Sequence, residues 1–176
     1  MSFINIEFKA RTLHPGDIRQ YLLDHGAEYR GTDVQTDTYF KVPNGRLKLR
    51  EGHIEKNLIW YQRSNQAGPK QADCLLTPVA EANSLRQTLI HALGIKVTVV
   101  KKREIYFIGN VKFHIDELDS LGTFVEVEAS NKNDDLPVEK LREQCEYYRQ
   151  AFGVADDDLI QVSYSDMLLE KSGDQE

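Results

Sequence analysis

Four short segments of this chain carry charged or polar side chains at every second position on an otherwise apolar background. They are Ile4-Asn5-Ile6-Glu7-Phe8-Lys9-Ala10-Arg11, Arg46-Leu47-Lys48-Leu49-Arg50, Lys112-Phe113-His114-Ile115-Asp116 and Val125-Glu126-Val127-Glu128. Strict alternation puts all the charges of a segment on one side of a β-strand and all its apolar groups on the other. The charges are sorted by sign. One face is a row of cations, one an acid pair, and two hold both. Arg and Lys suit phosphate oxygens, and carboxylates suit a hard divalent ion. Faces of this kind turned toward one another make a site for a polyanion together with metal ions.

Two orientations of these faces are open from the pattern alone. An alternating antiparallel strand ordinarily buries its apolar face and shows the polar one to water. The reverse arrangement, charges lining an enclosed hollow, is favoured by three features. Amphipathic helices elsewhere in the chain need an apolar surface to pack on. The strand faces segregate by sign, whereas a solubilising face mixes signs. Oxygen donors abound on the faces, with His114 the one histidine among them.

The elements that must position these residues are legible to differing degrees. Strands are expected at 3–11, 36–42, 46–50, 57–63, 73–79, 95–108, 111–118 and 123–129. Turn signals separate several of them: Pro43-Asn44-Gly45, Gly109-Asn110 and Ser120-Leu121-Gly122. A loop is expected from Ser64 to Gln71 around Gly68-Pro69. Helices are expected from Pro15 to a stop at Gly26, from Ser84 to Leu93, from Pro137 to Phe152 and near 165–170. Ile18, Leu22 and Ala27 form a buried side of the first, and Leu85, Leu89 and Leu93 one face of the second. Leu141, Cys145, Tyr148 and Phe152 follow a 4-3-4 spacing in the third. The polar tail from Lys171 is expected to fray. The count predicts an α+β fold, a closed eight-stranded antiparallel barrel flanked by helices, in one domain spanning 1–171.

Composition narrows the function classes. The chain has 176 residues, 40% hydrophobic and 28% charged, with a formal net charge of −6. The acidic balance argues against a general nucleic-acid or membrane-surface binder. No apolar run is long enough for a bilayer-spanning helix, and the N-terminus lacks a signal-peptide pattern, so a cytoplasmic protein is expected. Cys74 and Cys145 form no metal-type cluster, and Cys145 sits on an apolar stripe.

Five motifs in order resemble the CYTH superfamily, the triphosphate tunnel metalloenzymes. They are the Ile-Glu-x-Lys strand at 6–9, Asp37-Thr38-Tyr39-Phe40, Leu47-Lys48-Leu49-Arg50-Glu51, Lys101-Lys102-Arg103-Glu104-Ile105-Tyr106-Phe107, and His114-Ile115-Asp116 through Glu126-Val127-Glu128. A C-terminal Ser163-Tyr164-Ser165-Asp166 segment completes the likeness. The family includes class IV adenylyl cyclases and thiamine and inorganic triphosphatases. The resemblance implies an eight-stranded tunnel with a polar interior and a requirement for Mg2+ or Mn2+. It implies Glu7, Asp116, Glu126 and Glu128 as metal ligands, with Asn5 where the family usually has a further Glu. It implies Lys9, Lys48, Arg50, Arg63, Lys101 and Arg103 as substrate-binding cations, and Lys9, Tyr39 and Arg103 as catalytic groups. The 101–107 and 114–126 segments look closest to class IV adenylyl cyclases, which suggest a homodimer and conversion of ATP to cyclic AMP and pyrophosphate. A triphosphatase and a non-catalytic triphosphate sensor are the alternatives. The neutral amide of Asn5 supplies no charge and leaves one or two metals open. His114 shares the phase of Asp116 and reads equally as a lining or a structural residue. Lys70 reads as a surface loop lysine, and Tyr21, Tyr147, Tyr148 and Trp60 as packing residues.

Overall fold

A computed structural model describes residues 2–63 and 66–173. The chain forms β1 (Ser2–Arg11), α1 (Pro15–Asp24), β2 (Glu28–Phe40), β3 (Arg46–Glu51), β4 (Lys56–Arg63), β5 (Lys70–Pro78), α2 (Ala82–Leu93), β6 (Ile95–Ile108), β7 (Val111–Leu118), β8 (Gly122–Ser130), α3 (Val138–Ala151), a 3-10 turn (Asp156–Asp158) and α4 (Tyr164–Gly173). The eight strands close into an antiparallel barrel in the order β1-β5-β4-β3-β2-β6-β7-β8. This is the expected α+β architecture.

The apolar faces of the strands point outward and hold the helices. Ile6, Phe8 and Ala10 of β1, Val111, Phe113 and Ile115 of β7, and Val125, Val127 and Ala129 of β8 form one buried layer. Ile18 and Leu22 of α1 and Leu141 and Cys145 of α3 cover it, with Tyr148 and Phe152 at its margin. The 4-3-4 spacing of α3 keeps these side chains on one stripe. Tyr148 and Phe152 meet Phe113 edge-on, with centroids at 4.7 and 6.0 Å. Each large side chain buried here contributes about 2 kcal/mol of apolar transfer free energy. Gly26 ends the α1 region with φ +72°, a conformation that favours glycine.

A second cluster lies inside the barrel at one end. Tyr164, Met167 and Leu168 of α4 pack there with Ile160 against Tyr39, Tyr61, Val99, Leu118 and Phe124. Helix α4 thereby closes the end of the barrel at which β1 runs out and β8 begins.

Several boundaries differ from expectation. β2 starts at Glu28 rather than 36, because its first half pairs with the long β6 across a register shift between Tyr29 and Gly31. β5 starts at Lys70 rather than 73. Lys70 is only 1% exposed, so it is not a surface loop lysine: it is the first residue of β5 and pairs with Glu7 of β1. Of the expected loop at 64–71, Ser64 and Asn65 lie outside the described residues. α4 continues to Gly173, past the expected onset of fraying at Lys171, and 174–176 lie outside the described residues. Tyr147 is 59% exposed and meets Tyr148 edge-on, so it lies at the margin of the packing rather than within it.

The outward core makes a contrast that unfolding can read. Phe113→Ala removes a fully buried ring and should cost about 3–5 kcal/mol in urea denaturation. Val34→Asn, on the uncovered outer wall where the side chain is 60% exposed, should cost less than about 0.5 kcal/mol. Similar costs for both would contradict this placement of the core.

Candidate functional site

The polar faces enclose a hollow of about 540 Å³. Nine basic and six acidic side chains are among its described lining residues, although the chain as a whole is acidic. The site is therefore a local excess of positive charge inside a net-negative protein.

One wall is built by β7, β8 and β1. Strand register sets its rows. His114 lies opposite Glu126 and Glu126 opposite Lys9; one row on, Lys112 lies opposite Glu128 and Glu128 opposite Glu7; beyond that, Ser130 lies opposite Asn5. Arg103 of β6 forks onto Asp116, with Nε–Oδ1 and Nη2–Oδ2 both 2.6 Å, and Nη2 also reaches Glu126 Oε2 at 2.9 Å. Tyr164 Oη donates to Asp116 Oδ2 at 2.7 Å. Lys9 Nζ stands 3.4 Å from Glu126 Oε1 and 3.7 Å above the centre of the Tyr164 ring. Arg63 makes a close ion pair with Glu7.

The electrostatics of the acid pair are uneven. Burial would raise Glu126, but Lys9, His114 and Arg103 hold its carboxyl well below the usual range. Burial and the neighbouring Glu126 push Glu128 up to about 7. Like charges two residues apart on one strand face cannot both ionise freely in a desolvated site. Burial, with Arg103 and Lys112, brings His114 down to about 3, so the imidazole is neutral at pH 7.

The opposite wall is organised by one acid. Asp37 of β2 accepts Nε and Nη2 of Arg50, both at 2.9 Å, and Lys101 Nζ at 2.7 Å, and pairs with Lys48 Nζ at 3.2 Å. Burial opposes its ionisation, yet Arg50, Lys101 and Lys48 hold it well below the usual carboxylate range. Arg50 and Lys48 of β3 and Lys101 of β6 thus share one buried anion, while burial, with Arg50 and Arg103, pulls the Lys101 ammonium well below its usual range against the pull of Asp37. Toward the α4 end, Tyr39 Oη lies 3.5 Å from Tyr61 Oη and accepts from Lys48 Nζ at 3.4 Å. Burial raises Tyr39; Tyr61 goes down despite its burial, because Lys48 and Arg63 face it. The more acidic hydroxyl of the pair is Tyr61.

The twelve residues singled out from the sequence all sit on the inward faces. Asn5, Glu7, Lys9, Tyr39, Lys48, Arg50, Arg63, Lys101, Arg103, Glu126 and Glu128 line the hollow, and Asp116 stands behind it with both carboxylate oxygens engaged by Arg103 and Tyr164. His114 is wholly buried and faces the acid pair. Lys112, Tyr61, Asp37, Glu55 and Tyr164 also line the hollow, and the strand patterns alone give them no role. Lys112 shares the phase of His114 and Asp116 and was readable from that alternation. Glu55 comes from a loop and Tyr164 from a docked helix, so strand periodicity carries no signal for either. Lys70 Nζ donates to Gln161 O at 2.9 Å, and burial brings its ammonium down to about 8.

The residues present fit a divalent ion. His114, Glu126 and Glu128 each place one donor atom within 4.8 Å of the others, close to the spacing of ligands around one small ion. Asn5 Oδ1 is buried without a hydrogen-bond partner among the described residues and belongs to a side chain lining the same hollow. Glu126 and Glu128 would hold such an ion, with His114 and Asn5 as neutral donors within the same wall.

Two stability measurements follow from these pairings in the metal-free protein. Glu128 is raised from about 4.5 unfolded to about 7 folded. The folded state keeps its proton where the unfolded state has lost it, so stability falls as pH rises through that window. Glu128→Gln should remove that fall, stabilising the protein at pH 8 by about 1–3 kcal/mol and leaving pH 4 unchanged. Equal effects at both pH values would contradict the assignment. Arg103→Ala strips the fork from Asp116 and should cost about 3–5 kcal/mol at pH 7 in urea denaturation; a loss under about 1 kcal/mol would show that the pair is not buried as described.

A family model described as the CYTH domain matches residues 4–164. No curated protein matches the chain. Among solved structures, a protein of Pyrococcus horikoshii OT3 superposes with a TM-score of 0.78 at 20% identity, covering 92% of this chain and 98% of that one. A structure described as a putative adenylate cyclase from Vibrio parahaemolyticus gives 0.76 at 20% identity, covering 94% and 97%. At these identities the likeness establishes the barrel architecture alone. The family match covers most of the chain and every strand of the barrel. With a family match over most of its length and a closed eight-stranded barrel, this chain belongs to the CYTH domain family.

Proposed function

We propose that this protein is a divalent-metal-dependent enzyme that converts ATP to cyclic AMP and pyrophosphate in the hollow of its barrel. The observation that carries the triphosphate part of this reading is the lining: nine basic against six acidic side chains in a chain of net charge −6. A triphosphate brings the negative charge that this excess lacks. Phosphoryl and nucleotidyl transfer depend mainly on positioning and charge stabilisation, which fixed cations supply.

Two features support an organic triphosphate over a bare phosphate chain. The hollow is of the size used for nucleotide-scale ligands. Its rim carries Phe3 and Phe107, each with a cation over the ring: Lys132 at 5.6 Å and Arg30 at 5.6 Å. Flat aromatic faces with adjacent cations suit a base or another ring. The similar structure described as a putative adenylate cyclase agrees in fold with this reading.

In this mechanism Lys101, Arg50 and Lys48 bind the phosphate chain, and Asp37 keeps them oriented before substrate arrives. Arg103 and Lys9 face the phosphate chain from the acid wall and offset the charge that develops on its oxygens. Asp116 and Tyr164 hold the Arg103 plane. Glu126 and Glu128 would hold a divalent ion, which would supply Lewis-acid polarisation and a lowered pKa for an attacking hydroxyl. Tyr39 and Tyr61 hold a proton at the α4 end of the hollow within reach of Lys48. In the cyclase reading the ribose 3′-oxygen attacks the α-phosphorus and pyrophosphate leaves. In a triphosphatase, water attacks the terminal phosphorus in the same hollow.

Product analysis tests this. The protein is incubated with ATP, thiamine triphosphate and tripolyphosphate, in Mg2+ and in Mn2+, and the products are separated. Cyclic AMP and pyrophosphate from ATP are expected. Orthophosphate from any of the three selects the triphosphatase instead. Tight binding by calorimetry with no turnover in either metal selects a sensor. Glu126→Gln should lower turnover at least about 100-fold with folding intact; full turnover in this variant would remove the assignment of the acid wall.

A further inference from the structure

The connection between β3 and β4 carries one side chain that belongs to neither wall. His53 and Ile54 face solvent, but Glu55 turns inward and lines the hollow. Its Oε2 accepts from Arg50 Nη1 at 3.0 Å and from Gln35 Nε2 at 3.1 Å, and its Oε1 makes a close ion pair with Lys112. Three donors from β3, β2 and β7 therefore converge on a carboxylate that comes from a loop. Asp33 holds the loop in this pose by accepting His53 N at 2.8 Å and Glu55 N at 3.2 Å. Gly52 sits so close that a Cβ there would lie 2.2 Å from Asp33 Oδ2.

A guanidinium nitrogen, an ammonium and an amide gathered on two anionic oxygens are the contacts a phosphate group takes. Arg50 keeps its other edge on Asp37, so the same guanidinium serves both anions. Among the described residues Glu55 is the only acid in ion-pair contact with Lys112. Removing that carboxylate without replacement leaves a partly buried cation unpaired, which is costly. An incoming phosphate supplies the replacement.

Resting on the triphosphate reading above, we propose that Arg50, Lys112 and Gln35 form a phosphate seat that Glu55 fills in the empty protein and vacates, with the 52–55 loop, when substrate enters. The exchange is of one anion for another; no covalent bond changes. It also selects for chain length. A lone orthophosphate must compete with a carboxylate tethered beside the seat. A chain whose other phosphates already lie on Lys101 and Arg103 competes at high effective concentration and wins.

The test is titration calorimetry without metal, with tripolyphosphate and with orthophosphate, on the wild type, Glu55→Gln and Lys112→Met. Glu55→Gln should bind tripolyphosphate about tenfold more tightly, since a competing charge is gone. Orthophosphate, without measurable heat on the wild type, should become measurable on Glu55→Gln. Lys112→Met should weaken tripolyphosphate at least about fivefold, having lost one phosphate cation. Unchanged far-UV circular dichroism and melting temperature would establish that each variant folds. Wild-type binding of tripolyphosphate with no gain in Glu55→Gln, or no loss in Lys112→Met, overturns the seat alone. No binding of tripolyphosphate by any of the three overturns the seat and the triphosphate reading together.

Discussion

The inward charge of this barrel is tolerable because cations and carboxylates are interleaved across neighbouring strands. Asp37 is the clearest instance. One carboxylate, almost wholly out of water, is held by Arg50, Lys48 and Lys101. Arg103 between Asp116 and Glu126 is its counterpart on the other wall. Buried ion pairs seldom repay their desolvation with net stability. The stabilisation has to come from elsewhere, and the structure places it outside the barrel, in the apolar layer beneath α1 and α3. The strands are thus divided by face. Their outer residues hold the fold, and their inner residues hold a charge pattern that hydrophobic replacement could stabilise and that serves binding rather than stability in the function proposed above.

That division explains why so much was visible in the sequence. Alternation in β1, β3, β7 and β8 gave the inner and outer sets directly, and the sign segregation hinted at a hollow rather than a solvated face. Leu141, Cys145, Tyr148 and Phe152 showed where a helix would dock. The first half of β2 was not visible because Glu28, Arg30, Gly31 and Thr32 do not alternate with apolar residues there. That stretch is a strand because the long β6 pairs with it. Lys70 was misplaced for a related reason: a lysine next to Gly68-Pro69 looks like loop, and only the pairing of β5 with β1 draws it into the barrel. The strand faces revealed the walls of the site. They could not reveal what enters from the ends, which is Tyr164 on α4 and Glu55 on the β3–β4 loop.

The two ends of the hollow differ in chemistry. At the α4 end Tyr164, Phe124, Tyr39 and Tyr61 make a closed, aromatic floor whose hydroxyls are all engaged or close to cations. At the other end Phe3, Phe107, Arg30 and Lys132 make an open rim with room for a group that is flat rather than charged. Between them lie the paired cations. The ligand proposed above, with three phosphates and a ring, suits a hollow that is charged along its middle and aromatic at its rim. The pairing partners inside the empty protein, Asp37 above all, hold the basic groups in place at low reorganisation cost, which is what electrostatic catalysis requires.

The central claim is that the hollow is the binding site for a triphosphate and that its inner cations are what bind it. A crystal structure grown with Mn2+ and tripolyphosphate tests this most directly. The account predicts phosphate density inside the barrel in contact with Arg50, Lys101 and Arg103, and an anomalous Mn2+ peak beside Glu126 and Glu128. Phosphate bound only on the outer surface, with the inner ion pairs unchanged, would contradict it.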